Sequence, residues 1–147
     1  MPKRPVIPLI LAVLTLDQVT KQLLKNTQIQ LIPGLVSISG TRNTGAAFCI
    51  FGGSTLPLTI LTALVVLLMG YYLWKEKPRG LFAWGLTLLM AGALGNLIDR
   101  VTRGFVIDFI ELEFVRFAIF NVADIAITLG CALALAGVLF SREARHG

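Results

Sequence analysis

Asp17, Asn43, Asn96, Asp99, Arg100, Asp108, Asn121 and Asp124 are the residues of this chain whose types and placing could do chemistry. Most stand in or beside long apolar runs, where an ionisable side chain is costly and so marks a candidate site. Two carboxylates held close together cannot both ionise easily; one pKa rises and the pair shares a proton. The ionised partner can then take a proton from water while the neutral one donates to a carbonyl oxygen, as in aspartic peptidases. That chemistry needs no metal and no serine or cysteine nucleophile. Asp108 and Asp124 are the candidates for such a pair, because a loop and a helix entrance can converge. Asp99 precedes an arginine and is expected to be ion-paired and structural.

Each of these residues also has a plainer reading. Asn121 and Asp124 have capping-box-like spacing, so the first could cap a helix and the second favour its positive end. Arg100 could snorkel to a membrane interface. Asp17 and Lys21 lie one helical turn apart and could simply pair. Asp108 is harder to dismiss: in Phe105-Val106-Ile107-Asp108-Phe109-Ile110 its neighbours are apolar on both sides. That makes a poor surface loop, unless an edge strand holds the carboxylate outward. These readings treat the residues one at a time and do not explain why all fall at one level of the fold.

The level follows from the elements that must carry them. The 147 residues are 56% hydrophobic and only 14% charged, against about 25% charged in soluble domains. Four segments are long enough to cross a bilayer, which needs roughly 20 residues each. They are about 6–24, 57–74, 81–98 and 122–140. Lys3 and Arg4 before the first resemble a signal-peptide start, but no small-residue cleavage site follows, so the segment is read as a retained helix. Short basic loops mark the cytoplasm. Lys3 and Arg4, then Lys75, Lys77 and Arg79, then Arg142 and Arg145 share one side for an even number of spans. Both termini are therefore expected inside, and the segments Lys25 to Leu56 and Asp99 to Arg116 outside. The latter carries Arg100, Arg103 and Arg116, so the assignment rests on the other loops. Asp17, Asn96, Asp99, Arg100, Asn121 and Asp124 then fall in the outer ends of three helices, with Asn43 and Asp108 in the outer loops. The inner halves carry almost no polar groups.

In the outer segment, about 28–56, alternation around Pro33-Gly34 suggests two short strands lying on the membrane surface. Ala91 with Gly95, and Gly130 with Ala134, have the four-residue spacing of close helix packing. Cys49 and Cys131 are not expected to meet, and the one histidine, His146, is in the tail; no disulfide, metal or cofactor is expected. The net charge of +5 lies in short runs between apolar segments, not in a basic stripe with aromatics, so nucleic acid is not expected as a partner. Anionic phospholipid is.

Five stretches, in order, carry a resemblance. They are Asp17-Gln18-Val19-Thr20-Lys21, Asn43-Thr44-Gly45-Ala46-Ala47-Phe48, Gly95-Asn96-Leu97-Ile98-Asp99-Arg100, Val106-Ile107-Asp108-Phe109-Ile110 and Phe120-Asn121-Val122-Ala123-Asp124-Ile125-Ala126-Ile127. Together, across nearly the whole chain, they resemble the bacterial lipoprotein signal peptidases, or signal peptidase II. The resemblance implies one membrane domain: four transmembrane helices with a small extracytoplasmic β-cradle and a short interfacial helix beginning near Ala46. It implies an aspartic endopeptidase of the bacterial inner membrane that frees the signal peptide of a diacylglyceryl-modified prolipoprotein, cutting just before the lipidated cysteine. The family's catalytic pair falls on Asp108 and Asp124. Its supporting residues, which hold substrate and active-site loops, fall on Asp17, Lys21, Asn43, Gly45, Asn96, Arg100 and Asn121. Inhibition by the cyclic peptide globomycin follows from the same likeness, and a monomer is expected. A lipid-anchored cysteine lies at the outer headgroups, so a site at the outer level would reach the bond.

Two rivals remain from other classes. A proton-coupled transporter would place acids near the midplane and polar residues through to the inner side. A non-catalytic lipid- or peptide-binding scaffold would lack one of the two aspartates.

Overall fold

A computed structural model of the chain describes residues 6–45, 55–115 and 117–146, with side chains up to position 140. The expected interfacial helix near Ala46, and Cys49, lie outside the described residues. Among the described residues four helices are long and apolar enough to cross a membrane: α1 (Val6–Leu24), α2 (Leu56–Lys75), α3 (Gly80–Arg103) and α4 (Val122–His146), the last over Val122–Phe140. The third and fourth run further than hydropathy suggested. α3 continues through Asp99 and Arg100 to a left-handed Gly104 (φ 78°), whose N–H closes the last turn on the Arg100 carbonyl at 3.1 Å. Hydropathy ends where charge begins, but the helix ends where glycine supplies the αL cap.

α3 is the hub and packs against α1, α2 and α4. Small residues let α3 and α4 touch backbone to backbone: a Cβ on Gly130 would lie 2.4 Å from the Leu89 amide nitrogen. Without a hydrophobic driving force between helices in lipid, such close approach is what packing can use. α2 buries no residue, yet it is strongly apolar, with Leu61, Leu64, Leu67 and Leu68 exposed. That surface is stable only against hydrocarbon, and the protein is a multi-pass membrane protein. Hydroxyls within the spans are satisfied locally: Thr62 and Thr87 each donate to the carbonyl four residues earlier at 2.7 Å.

The two strands expected around Pro33-Gly34 are β1 (Gln28–Ile32) and β2 (Val36–Asn43). A third, β3 (Val106–Leu112), joins them in an antiparallel sheet of order β1-β2-β3. Asp108 therefore stands in a strand, paired opposite Thr41, and not in a loop. It does not point outward either: it is 2% exposed. On its other side β3 exchanges backbone hydrogen bonds with Phe120, just before α4. One short strand thus links the end of α3, the sheet and the start of α4.

Candidate active site

Asp108 and Asp124 meet through asparagines. The Asn121 side chain accepts from the Asp124 N–H at 3.0 Å, and Asp124 Oδ2 accepts from the Asn121 N–H at 3.2 Å. The plain capping box of α4 is therefore real. It is also half of the site, because the amide left over, Asn121 Nδ2, donates to Asp108 Oδ1 at 2.6 Å. Asn96 on α3 donates its Nδ2 to Asp124 Oδ1 at 2.7 Å. Asn43 at the end of β2 donates to Asp108 Oδ2 at 2.8 Å, while its own Oδ1 accepts from the Gly45 N–H at 2.7 Å.

The backbone around Asp108 is fixed from both sides. The Ile107 N–H donates to Asp99 Oδ2 at 3.2 Å, and the Ile107 carbonyl accepts from Asn121 Nδ2 at 3.3 Å. Burial pushes the Asp108 carboxyl up to about 6. The Asn43 amide opposes that rise, and the neighbouring Asp124 charge adds to it.

Beneath this pair lies a buried ionic cluster. Lys21 Nζ sits 2.8 Å from Asp17 Oδ2 and 3.0 Å from Asp99 Oδ2, with all three side chains fully buried. Arg103 pairs with the other Asp99 oxygen. The arginine holding Asp99 is thus one turn on, because residues four apart share a helix face and adjacent ones do not. Arg100, half-buried, instead interacts electrostatically with Asp124, Asp108 and Asp99. Asp17 Oδ1 accepts from the Ala123 N–H at 2.9 Å, so a carboxylate of α1 caps the positive end of α4. Gly95 makes that possible: a Cβ there would stand 2.6 Å from Asp17 Oδ2.

Every residue expected at the site is therefore at one end of the bundle. Gln18 was not singled out by its type, yet its Nε2 bonds Asp17, Asp99 and the Gly95 carbonyl at 3.1–3.3 Å. The available signal was an amide beside a buried acid in an apolar helix. Among the described residues no group of three or more His, Cys, Asp or Glu could hold a metal ion.

Four apolar helices carrying two carboxylates joined through Asn121 have the arrangement that a polytopic aspartic peptidase would need. A family model described as signal peptidase (SPase) II matches residues 9–140. A lipoprotein signal peptidase of Streptococcus pneumoniae is 41% identical, with 95% of each chain covered. One from Lactococcus lactis subsp. lactis is 37% identical over 88% of this chain and 89% of its own. A bacterial membrane enzyme solved by the in meso method at 2.3 Å superimposes with a TM-score of 0.83 at 33% identity, covering 93% of this chain and 88% of that one. A second, at 1.9 Å, gives 0.82 at 35% identity, covering 91% and 92%. The chain belongs to the signal peptidase II family.

Proposed function

We propose that Asp108 and Asp124 are the reacting pair with which this protein, a lipoprotein signal peptidase, removes the signal peptide from prolipoproteins. The observation that carries the assignment is Asn121. One side chain caps α4 through Asp124 and holds Asp108 at 2.6 Å, so two acids from different elements are tied to the same residue. One of them, neutral, protonates the scissile carbonyl oxygen while the other takes a proton from the attacking water. Collapse of the tetrahedral intermediate passes that proton to the leaving nitrogen. Asn96, Asn121 and Asn43 hold the acids, Gly45 holds Asn43, and Arg100 balances the charge the pair keeps after sharing one proton. Asp17, Lys21 and Asp99 tie α1, α3 and β3 beneath them.

The basic loops orient this end of the bundle outward, with both termini in the cytoplasm. That places the pair at the depth of a diacylglyceryl-modified cysteine, and the bond cut is the one just before it. Phospholipid surrounds α2 on its exposed faces, and globomycin competes for the same cleft. A monomer suffices, because one chain supplies both acids.

The test is cleavage of a lipidated prolipoprotein peptide by purified protein. Asp108→Asn and Asp124→Asn are each expected to lose at least about 100-fold in kcat while remaining folded. Full activity in either variant would remove that aspartate from the pair.

A further inference from the structure

We propose that Lys21 is a positioning residue for the reaction, acting through Asn96 to make Asp124 the base and Asp108 the acid. The inference rests on the reading of Asp108 and Asp124 as the reacting pair.

An asparagine offers a carboxylate either an attractive N–H or a repulsive carbonyl, depending on a half-turn of its amide. Each asparagine at the pair has that choice fixed by a group that can only donate. The Gly45 N–H fixes Asn43, and the Asp124 N–H fixes Asn121. For Asn96 two donors meet at Oδ1, the Lys21 ammonium at 3.0 Å and Asn121 Nδ2 at 3.2 Å; the charged and shorter of them is Lys21, and together they turn Nδ2 toward Asp124. Lys21 has three protons and three buried acceptors: Asp17, Asp99 and Asn96. The first two, with Arg103, complete a quartet of two acids and two cations whose charges balance. What reaches Asp124 is therefore mainly the direction of the Asn96 amide, while the Lys21 charge acts directly on Asp108 only as the smallest of the influences there.

The two acids then differ in surroundings. Asp108 is almost wholly withdrawn from water, which favours a neutral carboxyl. Both acids accept from locked donors on both oxygens, but Asp124 is only half-buried and stands in the first turn of α4, where the helix's positive end favours the ionised form. In the forward step the water oxygen bonds the carbonyl carbon, water's proton goes to Asp124, and Asp108's proton goes to the carbonyl oxygen. On collapse the C–N bond breaks, the nitrogen takes the proton from Asp124, and the hydroxyl proton returns to Asp108. The charged groups facing this proton are Asp17 and Lys21 from α1, Asp99, Arg100 and Arg103 from α3, Asp108 from β3 and Asp124 from α4.

Two full-length variants test the proposal beside wild type and Asp108→Asn, on a lipidated prolipoprotein peptide across about pH 5 to 8. Asn96→Asp keeps a partner for Lys21 but turns an acceptor on Asp124. Asp17→Asn/Lys21→Met removes one buried charge of each sign and keeps an oxygen for the Ala123 N–H. Both should fold, and at neutral pH kcat should fall about tenfold or more with KM within about twofold. Asn96→Asp should recover activity as the pH is lowered. In the double variant the acidic limb of the kcat/KM profile should move to higher pH. A wild-type pH profile and kcat, or a loss confined to KM or to the folded fraction, overturns the role of Lys21. Activity in Asp108→Asn overturns the pair itself, a separate failure.

Discussion

Asp108 is expected to make the folded protein less stable as the pH rises. Its carboxyl titrates at about 6 in the fold against an ordinary 3.8, so between those values the folded form holds a proton that the unfolded form has lost. Stability contributed by that proton is present below the lower value and is lost as pH climbs through the upper one. Asp108→Asn has no such proton to lose. The difference in thermal midpoint between variant and wild type should therefore shift in the variant's favour from about pH 4 to pH 6 and then level off. Parallel melting curves would contradict the burial account of this residue. The sequence made Asp108 conspicuous, because a carboxylate amid Val106, Ile107 and Phe109 asks for an explanation. It did not show that Asn121 serves two acids at once. Capping spacing is visible along a chain, whereas a spare amide proton reaching another element is not.

At the scale of elements, four helices and the β1–β2 hairpin were legible from apolar run lengths and from Pro33-Gly34. β3 was not. Val106 to Phe109 are all buried, so the strand lacks the in–out alternation that marks a half-exposed sheet. Asp99 holds it in place from α3 by accepting the Ile107 N–H. The packing of α3 on α4 and of α1 on both leaves no room for added volume. Gly95→Ala should displace the Asp17 carboxylate from Ala123, lowering stability by about 1–3 kcal/mol and kcat with it. Gly130→Ala, farther down the helix against Leu89, should cost similar stability by spreading α3 and α4. Chemical denaturation in detergent, with kcat measured on the folded fraction, separates the two. Unchanged activity in Gly95→Ala would mean that the α1 carboxylate is not needed to set the start of α4.

For the whole molecule, polarity is segregated: among the described residues buried charges gather at one end of the bundle, and α2 presents a largely apolar surface up to Lys75 in its last turn. The outward orientation proposed for that end gives a topological prediction. A single cysteine at Glu113, in the turn just after β3, should react with a membrane-impermeant maleimide in cells whose cytoplasmic membrane is intact. One at Lys77, between α2 and α3, should react only after permeabilisation. The reverse pattern would place the pair on the cytoplasmic side, away from the lipid anchor of the substrate. The central claim is that two linked aspartates hydrolyse one bond, beside the lipidated cysteine. Mass spectrometry of the products, from pure protein and a diacylglyceryl-modified prolipoprotein peptide, tests it most directly. The wild-type chain should make a single cut before the modified cysteine, and Asp108→Asn or Asp124→Asn should give no product above background. Cleavage elsewhere, or undiminished product from either variant, would contradict it.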